Sequence, residues 1–203
     1  MLTLKTSMAA AALALAGAAH AAGPNLIADG TFSSATGSYT TVNAGGTIGA
    51  WDVDSGSVDL IGSYWTAPTG FSIDLDGNSP GAISQDVQLA AGQYTVSFAL
   101  AGNRDGGSPV KGVQVSIDGV THDYTFDTSG LNGMGWVTKS FTFDVTHPGV
   151  PSVLTFTSLD ASGPYGAALA DISVTAVPEP ASLGLLLAGI GMLGVMSSRR
   201  RAH

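Results

Sequence analysis

The sequence predicts an all-β protein, a jelly-roll β-sandwich of about nine short strands. Three observations support this prediction. Apolar side chains alternate with small or polar ones, turn signals separate these runs, and no stretch between the two chain ends keeps a 3.6-residue period. The chain has 203 residues and no cysteine. It is therefore long enough for one core, and disulfides, thiolate metal sites and a cysteine nucleophile are excluded.

The strands are predicted from side chains that alternate with a period of two, so that one face of each strand is buried. In chain order, the alternating positions are Tyr94, Val96, Phe98 and Leu100, then Val113, Val115 and Ile117, then Tyr124 and Phe126, then Phe141, Phe143 and Val145, then Leu154 and Phe156, and finally Ile172 and Val174. Asp118-Gly119 between two of these runs predicts a two-residue hairpin, because both positions tolerate positive φ.

The composition is acidic, with 7 Lys+Arg against 15 Asp+Glu and a net charge of -8. Between the chain ends the basic residues are Arg104, Lys111 and Lys139, against 14 aspartates. A chain with so few scattered basic residues is a poor nucleic-acid binder. The aspartates are spread out, which is typical of a solvated surface, although some of them could hold calcium, a cation that takes oxygen ligands.

The first 21 residues predict a secretory signal peptide. Lys5 gives a positive start, residues 8–19 form an apolar run too short to span a bilayer, and Ala19-His20-Ala21 has the small-x-small pattern of a cleavage site. We expect cleavage after Ala21, with Ala22 as the alternative.

The last 27 residues, 177–203, contain a second apolar segment. Pro178-Glu179-Pro180 precedes an uncharged transmembrane segment at residues 181–196, and Arg199, Arg200 and Arg201 follow it. Such an arginine cluster stays cytoplasmic and leaves the upstream chain outside. This order resembles the PEP-CTERM sorting signal of Gram-negative bacteria, although an ordinary C-terminal anchor is the alternative. The resemblance implies recognition by the membrane protease exosortase, cleavage near the Pro-Glu-Pro triplet, and release or transfer to the cell surface or its exopolysaccharide.

The working domain, residues 22–176, resembles the galactose-binding-like jelly rolls of the choice-of-anchor C family. The matching segments are residues 25–32 (NLIADGTF), 49–53 (GAWDV), 56–62 (GSVDLIG), 81–85 (GAISQ), 94–98 (YTVSF), 100–103 (LAGN) and 170–174 (ADISV). The family is related to a plant cell-wall family of unassigned function. The resemblance implies a β-sandwich, contact with glycans by analogy with carbohydrate-binding modules, and no established enzyme activity.

The same resemblance implies a structural calcium ion where the opening segment meets the last strand. Asp171 matches the usual acidic ligand, and Asp29 stands where an asparagine is usual, while Ser33 replaces the glutamate of the opening motif. Another calcium motif fails. The run from Asp74 to Asn78 begins like an EF-hand loop but lacks its glycine and its final glutamate, so it predicts a strand that ends in a turn.

Glycan binding requires exposed aromatic faces beside polar groups. Tyr64, Trp65 and Tyr165 are the candidates, because they lie in segments rich in proline and glycine, whereas Trp51 is expected in the core. Trp136 and Tyr39 are further aromatic candidates. Packing is the alternative role for each.

No catalytic residue is identified. His122 and His147 are expected at the surface, and no Walker or HExxH motif is present in the sequence. We therefore expect a non-enzymatic protein with signal peptidase, exosortase and extracellular polysaccharide as partners. It would be secreted to the cell surface or matrix of a Gram-negative bacterium after a transient stay in the inner membrane. A matrix protein without a glycan site and a glycan hydrolase are the alternatives.

Overall fold

A computed structural model describes residues 23–33 and 37–178. These residues form strands and no helix, and so none of them belongs to a helix that could cross a membrane. The twelve strands are β1 (Tyr39–Asn43), β2 (Thr47–Ile48), β3 (Trp51–Ser55), β4 (Ser57–Ile61), β5 (Ser72–Asp74), β6 (Ala82–Val87), β7 (Gly92–Gly102), β8 (Val110–Ile117), β9 (Val120–Asp127), β10 (Val137–Val145), β11 (Ser152–Ser158) and β12 (Ala167–Ala176).

The strands form two six-stranded antiparallel sheets. The front sheet has the order β1-β4-β5-β12-β7-β10, and the back sheet has the order β2-β3-β6-β11-β8-β9. This arrangement confirms the predicted all-β sandwich. The described residues contain more strands than the nine expected, because β1, β2 and β5 have only two to five residues and are too short to show alternation.

The core lies between the sheets and is rich in aromatic side chains. Trp51 is fully buried, as predicted, and its ring centroid lies 6.1 Å from that of Phe156. Phe98 packs edge-on against Phe156 at 5.2 Å. Removing these large apolar surfaces from water is the main favourable contribution to folding.

The Asp118-Gly119 hairpin forms as the sequence predicts. β8 and β9 pair from Ile117↔Val120 onwards, and the two turn residues have φ values of 50° and 79°. Two positive φ angles define the type I′ turn, whose twist matches that of the flanking strands.

The opening segment runs beside β12. The Leu26 amide donates to the Val174 carbonyl at 2.9 Å, and the Ile172 amide donates to the Gly30 carbonyl at 2.9 Å. A Cβ atom at Gly30 would lie 2.0 Å from the Ile172 carbonyl oxygen, so only glycine allows this approach. Asp171 lies at a bulge of β12, where the register shifts between Ala170 and Ser173.

The middle of the outer side of the front sheet is covered by chain rather than by water. β7 and β12 carry alanines at the positions that alternate with core residues, and all of them are buried: Ala99, Ala101, Ala168 and Ala170. Two loops lie over this side, and we name residues 62–71 and 128–136 the cover loops. The indole of Trp65 donates to the Ser72 hydroxyl at 2.7 Å, and that of Trp136 donates to the Thr66 carbonyl at 2.8 Å.

Candidate functional site

A cavity of about 380 Å³ opens on the outer side of the front sheet, beside the first cover loop. We name it the front cavity. Its walls come from β1, β4 and β5 and from the loops that follow β4, β5, β7 and β11. The lining residues are Tyr39, Thr41, Asp59, Ile61, Tyr64, Trp65, Asp74, Gly77, Asn78, Asn103, Asp105, Pro164 and Tyr165. The three glycan-binding candidates from the sequence, Tyr64, Trp65 and Tyr165, are thus brought together in one cavity.

Three aromatic rings form a row along one wall of the front cavity. The centroids of Tyr39 and Tyr64 are 5.8 Å apart, and those of Tyr64 and Trp65 are 5.7 Å apart. Tyr39 is 53% exposed and Tyr64 is 50% exposed, whereas Trp65 is half-buried. The row therefore presents ring surface to solvent, and its exposed faces are available for stacking.

Backbone pairing brings the two tyrosines of this row together. β1 and β4 pair so that Tyr39 lies opposite Ile61. Beyond the strand end, the Gly62 and Tyr64 amides both donate to the Ser38 carbonyl, at 2.9 and 3.3 Å. The chain thus turns at Gly62 and places Tyr64 beside Tyr39. The Tyr64 hydroxyl then donates to Asp105 Oδ2 at 2.7 Å, which orients the ring.

A polar row crosses the floor of the front cavity. Thr41, Asp59 and Asp74 are register partners on β1, β4 and β5 and therefore share one face of the sheet. The Thr41 hydroxyl donates to Asp59 Oδ1 at 2.5 Å. Burial raises the pKa of Asp59 above its usual range, and the hydrogen bond from Thr41 opposes that rise.

Asp74 joins three of the loops that surround the front cavity. Its Oδ1 accepts the amides of Asp76 at 3.0 Å and Gly166 at 2.9 Å, and its Oδ2 accepts the Asn103 side-chain amide at 2.7 Å. Burial raises the pKa of Asp74 to about 7, although these three donors favour the ionised form. Both carboxylate oxygens of Asp74 are engaged by these partners, and the residue is only 1% exposed. Asp74 therefore acts as a positioning residue for the three loops.

A second polar cluster lies behind the front cavity, next to the apolar core. Asp76 is fully buried and neither of its carboxylate oxygens makes a hydrogen bond. Burial raises its pKa to about 6, the nearby Ser158 hydroxyl opposes the rise, the Asp160 charge adds to it, and the Lys111 charge also opposes it. The buried Lys111 ammonium donates to the carbonyl oxygens of Gly106, at 2.8 Å, and of Tyr165. It thereby fixes the loop that carries Tyr165.

Sequence reasoning missed this cluster, but a signal was present. Lys111 is two residues before Val113 and is therefore in phase with the core positions of β8. A lysine in such a phase points toward the core, and it needs partners where it is buried. The run from Asp74 to Asn78 does form a strand end followed by a turn, as predicted, with a bridge between Asp76 and Pro80.

The two calcium candidates have different surroundings. Asp29 Oδ1 accepts both the amide and the hydroxyl of Ser33 at 2.7 Å. Asp171 lies near Thr69, and its Oδ1 is buried without a hydrogen bond. Within residues 23–33 and 37–178, no three acidic or histidine side chains converge on a metal position. Calcium requires six to eight oxygen ligands. The site at Asp29 and Asp171 therefore stays a prediction, with Asp171 offering the better free oxygen.

The remaining sequence candidates fall in three groups. His122 and His147 are exposed, as predicted. Tyr165 was expected to be exposed but is half-buried, because its backbone carbonyl is held by Lys111 and its ring lies 6.0 Å from the ammonium. The signal cleavage residues Ala19 and Ala21, and the sorting residues beyond Pro178, lie outside the described part of the chain. The predicted transmembrane segment at 181–196 does as well.

The comparison with known families decides the classification. Residues 25–175 match the model of DUF642, described as a protein family of unknown function. The chain belongs to the DUF642 family. Residues 176–201 match the PEP-CTERM protein-sorting motif, which marks the protein for export or surface targeting. Both matches confirm the resemblances found in the sequence, the first to a galactose-binding-like family and the second to the sorting signal.

One curated relative of this DUF642 protein is halomucin from Haloquadratum walsbyi (strain DSM 16790 / HBSQ001). It is 32% identical over 180 residues, a match that covers 83% of this chain and 2% of halomucin. The chain therefore spans a very small part of that relative's length.

Solved structures with a similar fold include a cyclase from Fischerella sp. TAU, with a TM-score of 0.53, 12% identity, and coverage of 79% of this chain and 98% of the cyclase. The arabinose-bound α-L-arabinofuranosidase MgGH51 has a TM-score of 0.50 and 13% identity, with coverage of 74% and 26%. TmCBM61, solved with β-1,4-galactotriose, has a TM-score of 0.47 and 18% identity, with coverage of 76% and 99%. At these identities the similarity concerns the fold alone.

Proposed function

We propose that this DUF642 protein is a non-catalytic glycan-binding protein of the cell surface or exopolysaccharide, and that it binds glycan in the front cavity. One observation carries the proposal. The Tyr39–Tyr64–Trp65 row presents ring surface beside the carboxylates of Asp59 and Asp105, in one open cavity. Its volume of about 380 Å³ falls in the range of about 300–1,000 Å³ that is common for small-ligand sites.

The chemistry of this combination suits a sugar. The C–H face of a pyranose can lie on an aromatic ring, and its hydroxyls can donate to carboxylate oxygens. The rings are held before binding, since Tyr64 is anchored by Asp105 and Trp65 by Ser72. A site that is already ordered loses less conformational entropy on binding.

The acidic residues of the cavity favour binding over hydrolysis. A glycosidase needs two carboxyl groups that both reach the scissile bond, one of them protonated. Asp74 has the raised pKa of a proton donor, but both of its oxygens are engaged and it is buried. A hydrolase is therefore the weaker alternative. Turnover of a glycan that Asp59→Asn abolishes would indicate a hydrolase.

The two chain ends supply the route to the surface in this proposal. Signal peptidase removes residues 1–21, and exosortase processes the chain near Pro178-Glu179-Pro180. The match to the sorting motif supports the second step. Mass spectrometry of the exported protein tests both steps, because each cleavage leaves a defined terminus. A surface form that retains residues 181–203 would contradict processing and favour a permanent anchor.

Binding is tested with the full chain, purified in a detergent without a sugar headgroup and titrated against a panel of polysaccharides. We expect saturable binding, reduced about tenfold or more by Tyr64→Ala, because that change removes the central ring of the row. Val153→Ala is the matched control, since Val153 is 46% exposed on the back sheet. No binding to any glycan would favour a purely structural matrix role. Binding that Tyr64→Ala leaves intact would move the site elsewhere.

A further inference from the structure

The charged groups around the front cavity are of one sign. Its lining contains three carboxyl groups, those of Asp59, Asp74 and Asp105, and none of its described lining residues is basic. Asp59 and Asp105 have one oxygen each engaged by a side-chain hydroxyl, from Thr41 and Tyr64. The second oxygen of each is left for a ligand.

The nearest basic groups lie outside the lining of the front cavity. The Lys111 ammonium is only 1% exposed and is bound to the carbonyls of Gly106 and Tyr165 behind the wall. The Arg104 guanidinium donates to the Leu131 carbonyl and borders a neighbouring hollow that shares Asp105 with the front cavity. Neither Lys111 nor Arg104 is among the residues that line the front cavity.

From these contacts we propose that the front cavity selects glycans by charge, accepting neutral sugars, preferring sugars with a free amine, and rejecting uronate and sulfate groups. This inference rests on the proposed function, because it assigns the ligand class of the same cavity. An ammonium group would donate hydrogen bonds to the unengaged oxygens of Asp59 and Asp105. These bonds would be charge-assisted, and such bonds are about twice as strong as neutral ones. A uronate would instead place a third charge beside two like charges.

The rest of the chain acts in the same direction. Only three basic residues accompany 14 aspartates between the chain ends. Such an excess of negative charge repels a polyanion over a distance of about 10 Å at 0.1 M salt and slows its approach. The same field attracts a polycation. The preference should therefore weaken as ionic strength rises.

Two matched pairs of oligosaccharides test the inference, each pair differing in charge on one backbone. The first pair is β-1,4-linked glucosamine and its N-acetylated form, and the second is methyl-esterified and de-esterified oligogalacturonate. Affinities are measured with the full chain, in low and high salt, with a chelator present so that no divalent cation can bridge two carboxylates. We expect the free amine to bind about tenfold tighter than its acetylated form, and the ester to bind at least tenfold tighter than the free uronate.

Asp105→Asn removes one charge and keeps an oxygen for the Tyr64 hydroxyl. It should reduce the preference for the amine severalfold, whereas Asp86→Asn, an exposed carboxylate on the back sheet, should not. Equal binding within either pair, or a preference that Asp105→Asn leaves unchanged, would overturn the inference. If the neutral members bind and depend on Tyr64, the proposed function survives that failure. If no oligosaccharide of the four and no polysaccharide of the panel binds, both proposals fail.

Discussion

The two sheets contribute similar apolar faces to the core but differ on their outer sides. The back sheet presents exposed carboxylates such as Asp52, Asp86 and Asp123 to water. The front sheet buries small side chains such as Ala101 and Ala168 under the cover loops. Small residues let backbone and indole rings lie close to the sheet, and the front cavity forms where this cover ends. The candidate site therefore depends on a second layer of packing, in addition to the core.

The largest expected effect comes from removing the cation that supports this layer from inside. Lys111→Met leaves Asp76 and Asp160 without their nearby positive charge and frees the carbonyls of Gly106 and Tyr165. We expect a loss of about 3–5 kcal/mol in the free energy of unfolding, typical of breaking a buried charge cluster. Urea denaturation at pH 8 measures it.

Lys139→Met is the matched control for that change. Lys139 lies on β10 and is only partly buried, so its loss should cost about 1 kcal/mol or less. The effect of Lys111→Met should also be smaller at pH 5, because Asp76, with a pKa of about 6, is then largely neutral. Equal losses for the two lysine variants would show that the cluster behind the cavity does not stabilise the fold.

A second difference between the two outer sides is the response of the front sheet to pH. Burial raises the pKa of Asp74 to about 7 and that of Asp76 to about 6, against 3.8 in the unfolded chain. Between about pH 4 and pH 7 the folded protein therefore binds more protons than the unfolded one. The contribution of Asp74 and Asp76 to the free energy of unfolding is complete below pH 4 and is lost as pH rises to 7. The stability of the folded protein should therefore fall across this window.

Thermal unfolding at intervals from pH 4 to pH 8 measures that fall, which we expect to reach several degrees in Tm. Asp74→Asn cannot titrate and should flatten the curve, while Asp86→Asn should leave its slope unchanged. A Tm that stays constant or rises from pH 4 to pH 7 in the unmodified protein would contradict the assignment of raised pKa values to these buried acids.

The sequence predicts the core better than the outer layer, for a physical reason. Alternation reports which residues face the interior of a two-layer sandwich, and it located β7 to β12 and the Asp118-Gly119 hairpin correctly. From Phe98 to Gly102 every residue of β7 is buried, so alternation ends where the cover loops begin. Loops that fold back over a sheet leave no period in the sequence.

The candidate site shows the same limit. Tyr64, Trp65 and Tyr165 could be selected by residue type and by their loop composition, but Tyr39 joins them only through the β1–β4 register. Asp74 lies 92 residues from its partner Gly166, and Lys111 lies 54 residues from its partner Tyr165. Their roles follow from three-dimensional contacts that no local motif encodes. Lys111 could have been noticed by its phase with Val113, although Lys139 has the same phase with Phe141 and is only partly buried.

The third stability effect tests the packing difference between the sheets directly. Ala101→Leu adds three carbon atoms beneath the cover loops, where the alanine is fully buried. Thr155→Leu adds a similar side chain to the outer side of the back sheet, where the site is only partly buried. Overpacking a filled site costs about 1–3 kcal/mol, whereas a surface change usually stays within about 0.5 kcal/mol.

We therefore expect Ala101→Leu to lower Tm by about 3–10 °C and Thr155→Leu to leave it nearly unchanged. Ala101→Leu should also weaken glycan binding, because Ala101 lies across β12 from Asp74, with Ala168 between them in register. A displacement there shifts the loops that Asp74 joins. If both leucine variants have equal Tm values and bind equally well, the cover is loose, and the front cavity cannot depend on the small side chains beneath it.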